Sequence, residues 1–158
     1  MKKISIIVPC YNEQECILDS IDEIKLFIKK NSKYYFNVTF INDGSTDNTY
    51  SIITNIIKNN KNFRLINFTK NFGHQSAVAA GINFCTDDAA IIIDADLQDP
   101  IDVASKMIIE WEKGFDVVAG KRNQRQGVGK LRLLAAKYYY RFLNFIAETN
   151  IPLDTGDF

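Results

Sequence analysis

The segment Asp94–Pro100 has the clearest potential for chemistry. Side chains alternate sides in an extended chain, so Asp94, Asp96 and Gln98 should point the same way. Two carboxylates and an amide oxygen are hard ligands that suit Mg²⁺ or Mn²⁺. Mg²⁺ usually takes one or two protein carboxylates and completes its shell with water and substrate phosphates. The pattern therefore predicts a divalent cation that holds a phosphate-bearing ligand; the alternative is that Asp99 caps the next helix and the other acids are solvated.

Three more polar segments follow apolar runs: Pro9–Glu13, Asn42–Asp47 and Lys70–His74. In the second, Asp43 could accept hydrogen bonds from a base or a ribose, or the segment could be only a turn and a helix cap. His74 is the only histidine, no nucleophile is spaced to form a triad with it, and a structural role is the commoner one. Neither GxGxxG after the first apolar run nor GxxxxGK[ST] occurs, which argues against a dinucleotide-dependent dehydrogenase and a P-loop protein.

Alternating strand and helix patterns must position these segments. Asn12 and Glu15 have capping-box spacing ahead of the first helix. The alternation predicts an α/β fold with an open, mainly parallel sheet, in which ligands bind outside the carboxyl ends of the strands. The predicted strands are Ile4–Val8, Phe36–Ile41, Phe63–Phe68, Ala89–Ile93 and Phe115–Ala119. The predicted helices cover about 17–28, 50–57, 74–84, 99–114 and, as a long basic and aromatic helix, 129–149.

Composition fits one ordinary soluble domain. The chain has 158 residues, 46% hydrophobic and 24% charged, which excludes intrinsic disorder. No apolar run reaches the roughly 18–20 residues that cross a bilayer. The three cysteines form no CxxC pair, which argues against a disulfide framework or a zinc site and favours a reducing cytosol.

The formal net charge of zero conceals two unlike parts. Residues 1–116 hold 12 basic and 16 acidic side chains, a net charge of −4, whereas residues 117–158 hold 7 basic and 3 acidic, a net charge of +4. All seven basic residues of the second part lie between Val117 and Ala147, with no acidic residue among them. This asymmetry predicts a polyanionic or membrane-surface partner, with a solvated basic helix as the alternative.

Six strings occur in this order along the chain: SIIVPCYNE, FINDGSTDNT, KNFGHQSAVAAG, IIIDADLQDP, VVAGKR and IPLDTGDF. Together they resemble the motifs of the family 2 glycosyltransferases with the GT-A fold. Within that family the sequence is similar to the polyprenyl-phosphate branch, the group of the dolichol-phosphate mannose synthases and bactoprenol-phosphate glucosyltransferases. The resemblance implies a GT-A-type, Rossmann-like sheet with helices on both faces. Because such proteins continue beyond GDF, we expect residues 1–158 to be a catalytic domain truncated at its C-terminus.

The resemblance also implies roles for residues of the donor site. Many relatives have Asp at the position of Asn42, so the contact with the base must differ here or be made by Asp43. The nucleotide pocket would comprise Pro9, Tyr11, Glu13, Asn42 and Asp43, and the cation ligands would be Asp94, Asp96 and Gln98.

The acceptor side is implied by the basic part of the chain. Arg122 would contact the acceptor phosphate, with Lys130, Arg132 and Lys137 as further candidates. Asp157 lies where related enzymes have an active-site acid. Asp96, Arg122 and Asp157 are thus the expected catalytic residues.

The expected function is metal-dependent, inverting transfer of a sugar from a nucleotide-diphospho-sugar to a polyprenyl phosphate. It would take place at the cytoplasmic side of a membrane, and the parent protein would carry membrane segments. Alternatives are transfer to a sugar hydroxyl, with Asp157 as general base, a nucleotidyltransferase, and a module that only binds nucleotide or membrane. A nucleic-acid partner is not expected, and a homo-oligomer stays open.

Overall fold

A computed structural model describes residues 1–97 and 100–120. Strands and helices alternate strictly along these residues. The strands are β1 (Lys3–Cys10), β2 (Tyr35–Asn42), β3 (Phe63–Asn67) and β4 (Ala89–Ile92). The helices are α1 (Ile17–Lys30), α2 (Thr49–Ile57), α3 (His74–Asn83) and α4 (Asp102–Glu112).

The four strands form one parallel sheet in the order β3-β2-β1-β4. β1 is central, and its residues from Ile4 to Cys10 are all buried. Its register with β2 runs from Lys3 opposite Tyr35 to Cys10 opposite Asn42. Because the chain moves outward from β1 first to one side and then to the other, a crevice opens above the carboxyl ends of β1 and β4.

Helices cover both faces of the sheet, as predicted. On one face, Ile6 of β1 packs in a large core with α1, α2 and α4. On the other, Ile7 packs with Ile41 and with Ala77 of α3. Gly81 allows α3 to lie close to the sheet, because a Cβ at this position would stand 2.3 Å from Cγ2 of Ile7.

The predicted fifth strand is wrong. Residues 115–120 have no regular secondary structure, and Val117 is 85% exposed. A strand requires backbone pairing with a neighbour, but this segment runs beside β4 across an apolar cleft that Val117 and Val118 help to line. The predicted helix at 129–149 lies outside the described residues.

Within the described ranges, 1–97 and 100–120, no helix has the length and apolar character needed to cross a membrane.

Candidate functional site

A cleft of about 360 Å³ lies at the carboxyl ends of β1 and β4, at the predicted edge of the sheet. The residues that line it come from segments more than 80 positions apart in sequence. The predicted site residues that line it are Pro9, Tyr11, Glu13, Asp43, Asp94 and Asp96.

The segment after β1 alternates between lining the cleft and binding the segment after β2. Asn12 has a left-handed backbone (φ 57°). Its N–H donates to Oγ of Ser45 at 3.0 Å, and its Oδ1 accepts the N–H of Thr46 at 2.8 Å. The predicted capping box is therefore wrong: α1 begins at Ile17, and its N-cap Cys16 makes no capping hydrogen bond through its side chain.

Gln14 repeats this arrangement two residues later. Its Oε1 accepts the N–H of Asn48 at 3.1 Å, and its own N–H donates to Oδ2 of Asp47 at 3.1 Å. Oδ1 of Asp47 accepts the N–H of Thr49 at 2.9 Å. Partial burial acts to raise the pKa of Asp47, but hydrogen bonds from Thr49 and Gln14 outweigh it and lower that pKa. The two loops are thus held together by side chain–backbone hydrogen bonds, while Tyr11 faces the cleft.

Asp43 organises the loop that precedes α3. It is 2% exposed, and its two carboxylate oxygens accept the N–H groups of Phe72 (2.7 Å) and Gly73 (2.9 Å). Its own N–H donates to the carbonyl of Cys10 at 2.9 Å. Asp43 lines the cleft, but its carboxylate serves primarily to hold this loop in place.

Asn42 does not line the cleft. It is 2% exposed, its Nδ2 donates to Oδ1 of Asn67 at 2.6 Å, and its Oδ1 accepts the N–H of Ser45 at 3.4 Å. An aspartate here could not donate the bond to Asn67. The amide therefore links β2 to β3 and supports the turn.

Gly44 brings two loops into close contact. Its φ is +66°, and a Cβ would stand 2.3 Å from the backbone carbonyl carbon of Lys70 and 2.6 Å from the backbone nitrogen of Asn71. Only glycine fits both the conformation and the space.

Asp94 and Asp96, the acidic pair, follow β4. Oδ1 of Asp94 lies 4.0 Å from Nε2 of His74, and both side chains are 43% exposed. Asp96 is exposed at the same cleft. The turn closes with a hydrogen bond from the N–H of Leu97 to the carbonyl of Asp94 at 3.2 Å, and Leu97 has a left-handed backbone (φ 48°).

Nothing in the described part of the chain forms a complete metal site. No group of three or more His, Cys, Asp or Glu side chains there could hold a metal ion. Gln98, the third predicted ligand, lies outside the described residues, as do Arg122, Lys130, Arg132, Lys137 and Asp157. Their roles stay predictions.

The cleft also contains residues that the sequence analysis did not assign to the site. Asn71 and His74 line it because Asp43 and Gly44 fix the loop that carries them. In the sequence, His74 directly follows a glycine at a predicted helix start, and this position could have indicated that it lies at the site. Ser20 is buried behind Asp94 and Asp96. In the sequence, the only indication of its role is that it is a polar residue next to Ile21 on the buried face of α1.

Comparison with known proteins identifies the family. The model of the family described as Glycosyl transferase family 2 matches residues 5–158. The bactoprenol glucosyl transferase of Shigella phage SfX is 39% identical over 156 residues, which are 99% of this chain and 51% of that protein. The uncharacterized glycosyltransferase YkcC of Bacillus subtilis is 36% identical over 154 residues, 98% of this chain and 47% of that protein. The chain thus spans about half the length of these relatives.

Solved structures share the fold. Glucosyl-3-phosphoglycerate synthase from Mycobacterium tuberculosis, in complex with UDP, has a TM-score of 0.61 at 17% identity, with 98% of this chain and 55% of that chain covered. A mannosyltransferase from Pyrobaculum calidifontis, in complex with GDP-Man and Mn²⁺, has a TM-score of 0.59 at 22% identity, with 77% and 36% covered. The predicted GT-A-type α/β fold is confirmed, and the chain belongs to glycosyl transferase family 2.

Proposed function

We propose that this chain binds the donor in a glycosyltransferase that moves a sugar from a nucleotide-diphospho-sugar to a polyprenyl phosphate. The observation that carries the proposal is the shared cleft of Asp94 and Asp96 with Tyr11 and Glu13, at the ligand-binding edge of a parallel sheet. The similarity to proteins named bactoprenol glucosyl transferase supports the lipid acceptor.

The two carboxylates fit a divalent cation. A donor diphosphate is anionic, and Asp94 and Asp96 would repel it unless a cation lay between them. Mg²⁺ and Mn²⁺ prefer oxygen ligands, and one or two protein carboxylates are usual for Mg²⁺. Asp94 and Asp96 would hold such an ion together with Gln98. When bound, such an ion neutralises charge on the departing diphosphate.

The chemistry requires one displacement. An oxygen of the acceptor phosphate attacks the anomeric carbon, the bond from that carbon to the diphosphate oxygen breaks, and the anomeric centre is inverted. A phosphate monoester has its second pKa near ~6, so it is largely deprotonated at neutral pH and needs no general base. It needs positive charge instead, and we assign that role to Arg122 and the basic residues that follow it in sequence.

Lipid labelling tests the acceptor. The full-length gene product is incubated with a radiolabelled nucleotide-sugar and polyprenyl phosphate in the presence of Mn²⁺, and the organic phase is counted. We expect label in the lipid fraction and a free nucleoside diphosphate in equal amount. Label that enters only a water-soluble glycan would favour a hydroxyl acceptor, and release of pyrophosphate would favour a nucleotidyltransferase.

Asp96→Asn tests the donor site. We expect metal-dependent binding of the donor nucleotide-sugar to weaken by about a hundredfold, because the neutral amide no longer attracts the cation. Titration calorimetry with and without EDTA measures this change. The control is Asp22→Asn, which removes an equal charge from an exposed position on α1 and should change binding less than about twofold. Equal affinities for wild type and Asp96→Asn would contradict the proposal.

A further inference from the structure

The loop that carries the acidic pair is held from behind by α1. The hydroxyl of Ser20 donates to the backbone carbonyl of Ala95, the residue between Asp94 and Asp96. The two residues are 75 positions apart in sequence, and both are buried, at 2% and 3% exposure.

This bond is more than the usual contact of a serine within its own helix. Helical serines commonly donate to the carbonyl four residues earlier, and Ser20 does lie 3.0 Å from the carbonyl of Cys16. That carbonyl, however, also accepts the backbone N–H of Ser20 at 3.0 Å, so it is satisfied without the hydroxyl. The thiol of Cys16 also lies 3.7 Å from the carbonyl of Ala95, but its single proton has a nearer acceptor in Oε2 of Glu13, at 3.1 Å.

The loop has a conformation that needs such support. Leu97 adopts a left-handed backbone, which a bulky side chain rarely does. Such a residue persists only where the surrounding structure fixes it, and this kind of strain concentrates at functional sites. Here the turn from Asp94 to Leu97 is closed by one backbone hydrogen bond, and Ala95 within it is held by α1.

We infer that Ser20 is a positioning residue, which fixes the Ala95 carbonyl and so sets where the carboxylates of Asp94 and Asp96 stand in the cleft. The thiol of Cys16 does not share this role, because it donates its proton to Glu13; burial and that hydrogen bond raise the pKa of the thiol to about 11. The consequence for metal-dependent donor binding rests on the proposed function; the effect on the loop does not.

The test compares Ser20→Ala with Ile24→Val in the full-length gene product. Ile24 is buried on the same helix, so its shortening loosens the core without touching the Ala95 carbonyl. Amide hydrogen exchange is followed at Leu97, and donor binding is measured with Mn²⁺ and with EDTA. For Ser20→Ala we expect Leu97 exchange to accelerate by about tenfold. Metal-dependent donor affinity should fall by about tenfold, while metal-free affinity changes less than about twofold. Ser20→Thr, which keeps the hydroxyl, should restore Leu97 protection.

The outcomes separate the two proposals. Equal exchange at Leu97 in Ser20→Ala and Ile24→Val would overturn the positioning role, as would an equal loss of metal-free binding in both variants. If Ser20→Ala accelerates Leu97 exchange but wild type binds no nucleotide-sugar in a metal-dependent way, the positioning role stands and the proposed function fails.

Discussion

Replacing Gly44 by alanine is expected to lower the free energy of unfolding by about 3 kcal/mol or more. The backbone at this position is left-handed, and the new Cβ would stand 2.3 Å from the carbonyl carbon of Lys70. Because the neighbouring atom belongs to the backbone, no rotation of a side chain relieves the contact. Equilibrium unfolding in urea measures the loss.

Gly114 provides the matched control for this substitution. It also has a positive φ, +103°, but nothing lies within 4 Å of the position its Cβ would occupy. Gly114→Ala should therefore cost only the conformational penalty, about 1–2 kcal/mol. If the two alanine variants lose equal stability, the close approach between Gly44 and Lys70 does not restrain the loop, and Gly44 does not hold Asn71 and His74 at the cleft.

Replacing Asp43 by alanine is expected to lower the free energy of unfolding by about 2–5 kcal/mol, since it removes the acceptors of two backbone N–H groups. Those groups belong to Phe72 and Gly73. Asp43→Asn should lie between wild type and Asp43→Ala, because the amide keeps one oxygen that can accept a hydrogen bond. Urea unfolding gives the order of the three proteins.

Hydrogen exchange locates the effect of Asp43. In Asp43→Ala, the amides of Phe72 and Gly73 should lose protection, while the amide of Ile24 in α1 should exchange only as fast as the change in global stability requires. If exchange accelerates equally at all three amides, Asp43 supports the fold as a whole and does not specifically order the loop before α3.

Four of the five strands that apolar patterning predicts are present in the described residues, because burial of a strand requires a continuous run of apolar residues. β1 is the clearest example, with Ile4 to Val8 buried on both faces. The fifth prediction used the same signal at 115–119 and was wrong. An apolar run indicates that a segment can be buried, but a strand also requires hydrogen bonds to a neighbouring strand. The segment at 115–119 is not paired with β4, and Val117 in it is exposed.

The position of the cleft was predictable for a related reason. Once the sheet is parallel, its strand ends must meet, so polar residues after separate strands share one cleft. Tyr11, Asp43 and Asp94 follow this rule. Asn42 is an exception to this rule. The side chains of adjacent residues in a strand point to opposite sides, so the amide of Asn42 does not reach the cleft as Asp43 does. It binds Asn67 of β3 instead.

Local spacing failed where a distant partner competed for the same atoms. Asn12 and Glu15 have capping-box spacing, yet the side chain of Asn12 binds Thr46, 34 positions away. The bond from Ser20 to Ala95 crosses 75 positions and has no local signal beyond a polar residue on a buried helix face. Contacts of this kind depend on the assembled sheet, and spacing within one element does not encode them.

The alternation in residues 11–14 separates two structural requirements on this loop. Asn12 and Gln14 hold the loop through their amide side chains, whereas Tyr11 and Glu13 line the cleft. A substitution at Tyr11 can reshape the cleft while the hydrogen bonds that fix the backbone persist. Under the proposed function, a single substitution at Tyr11 can therefore change donor preference without a compensating change elsewhere in the loop, which makes this loop a target for directed evolution.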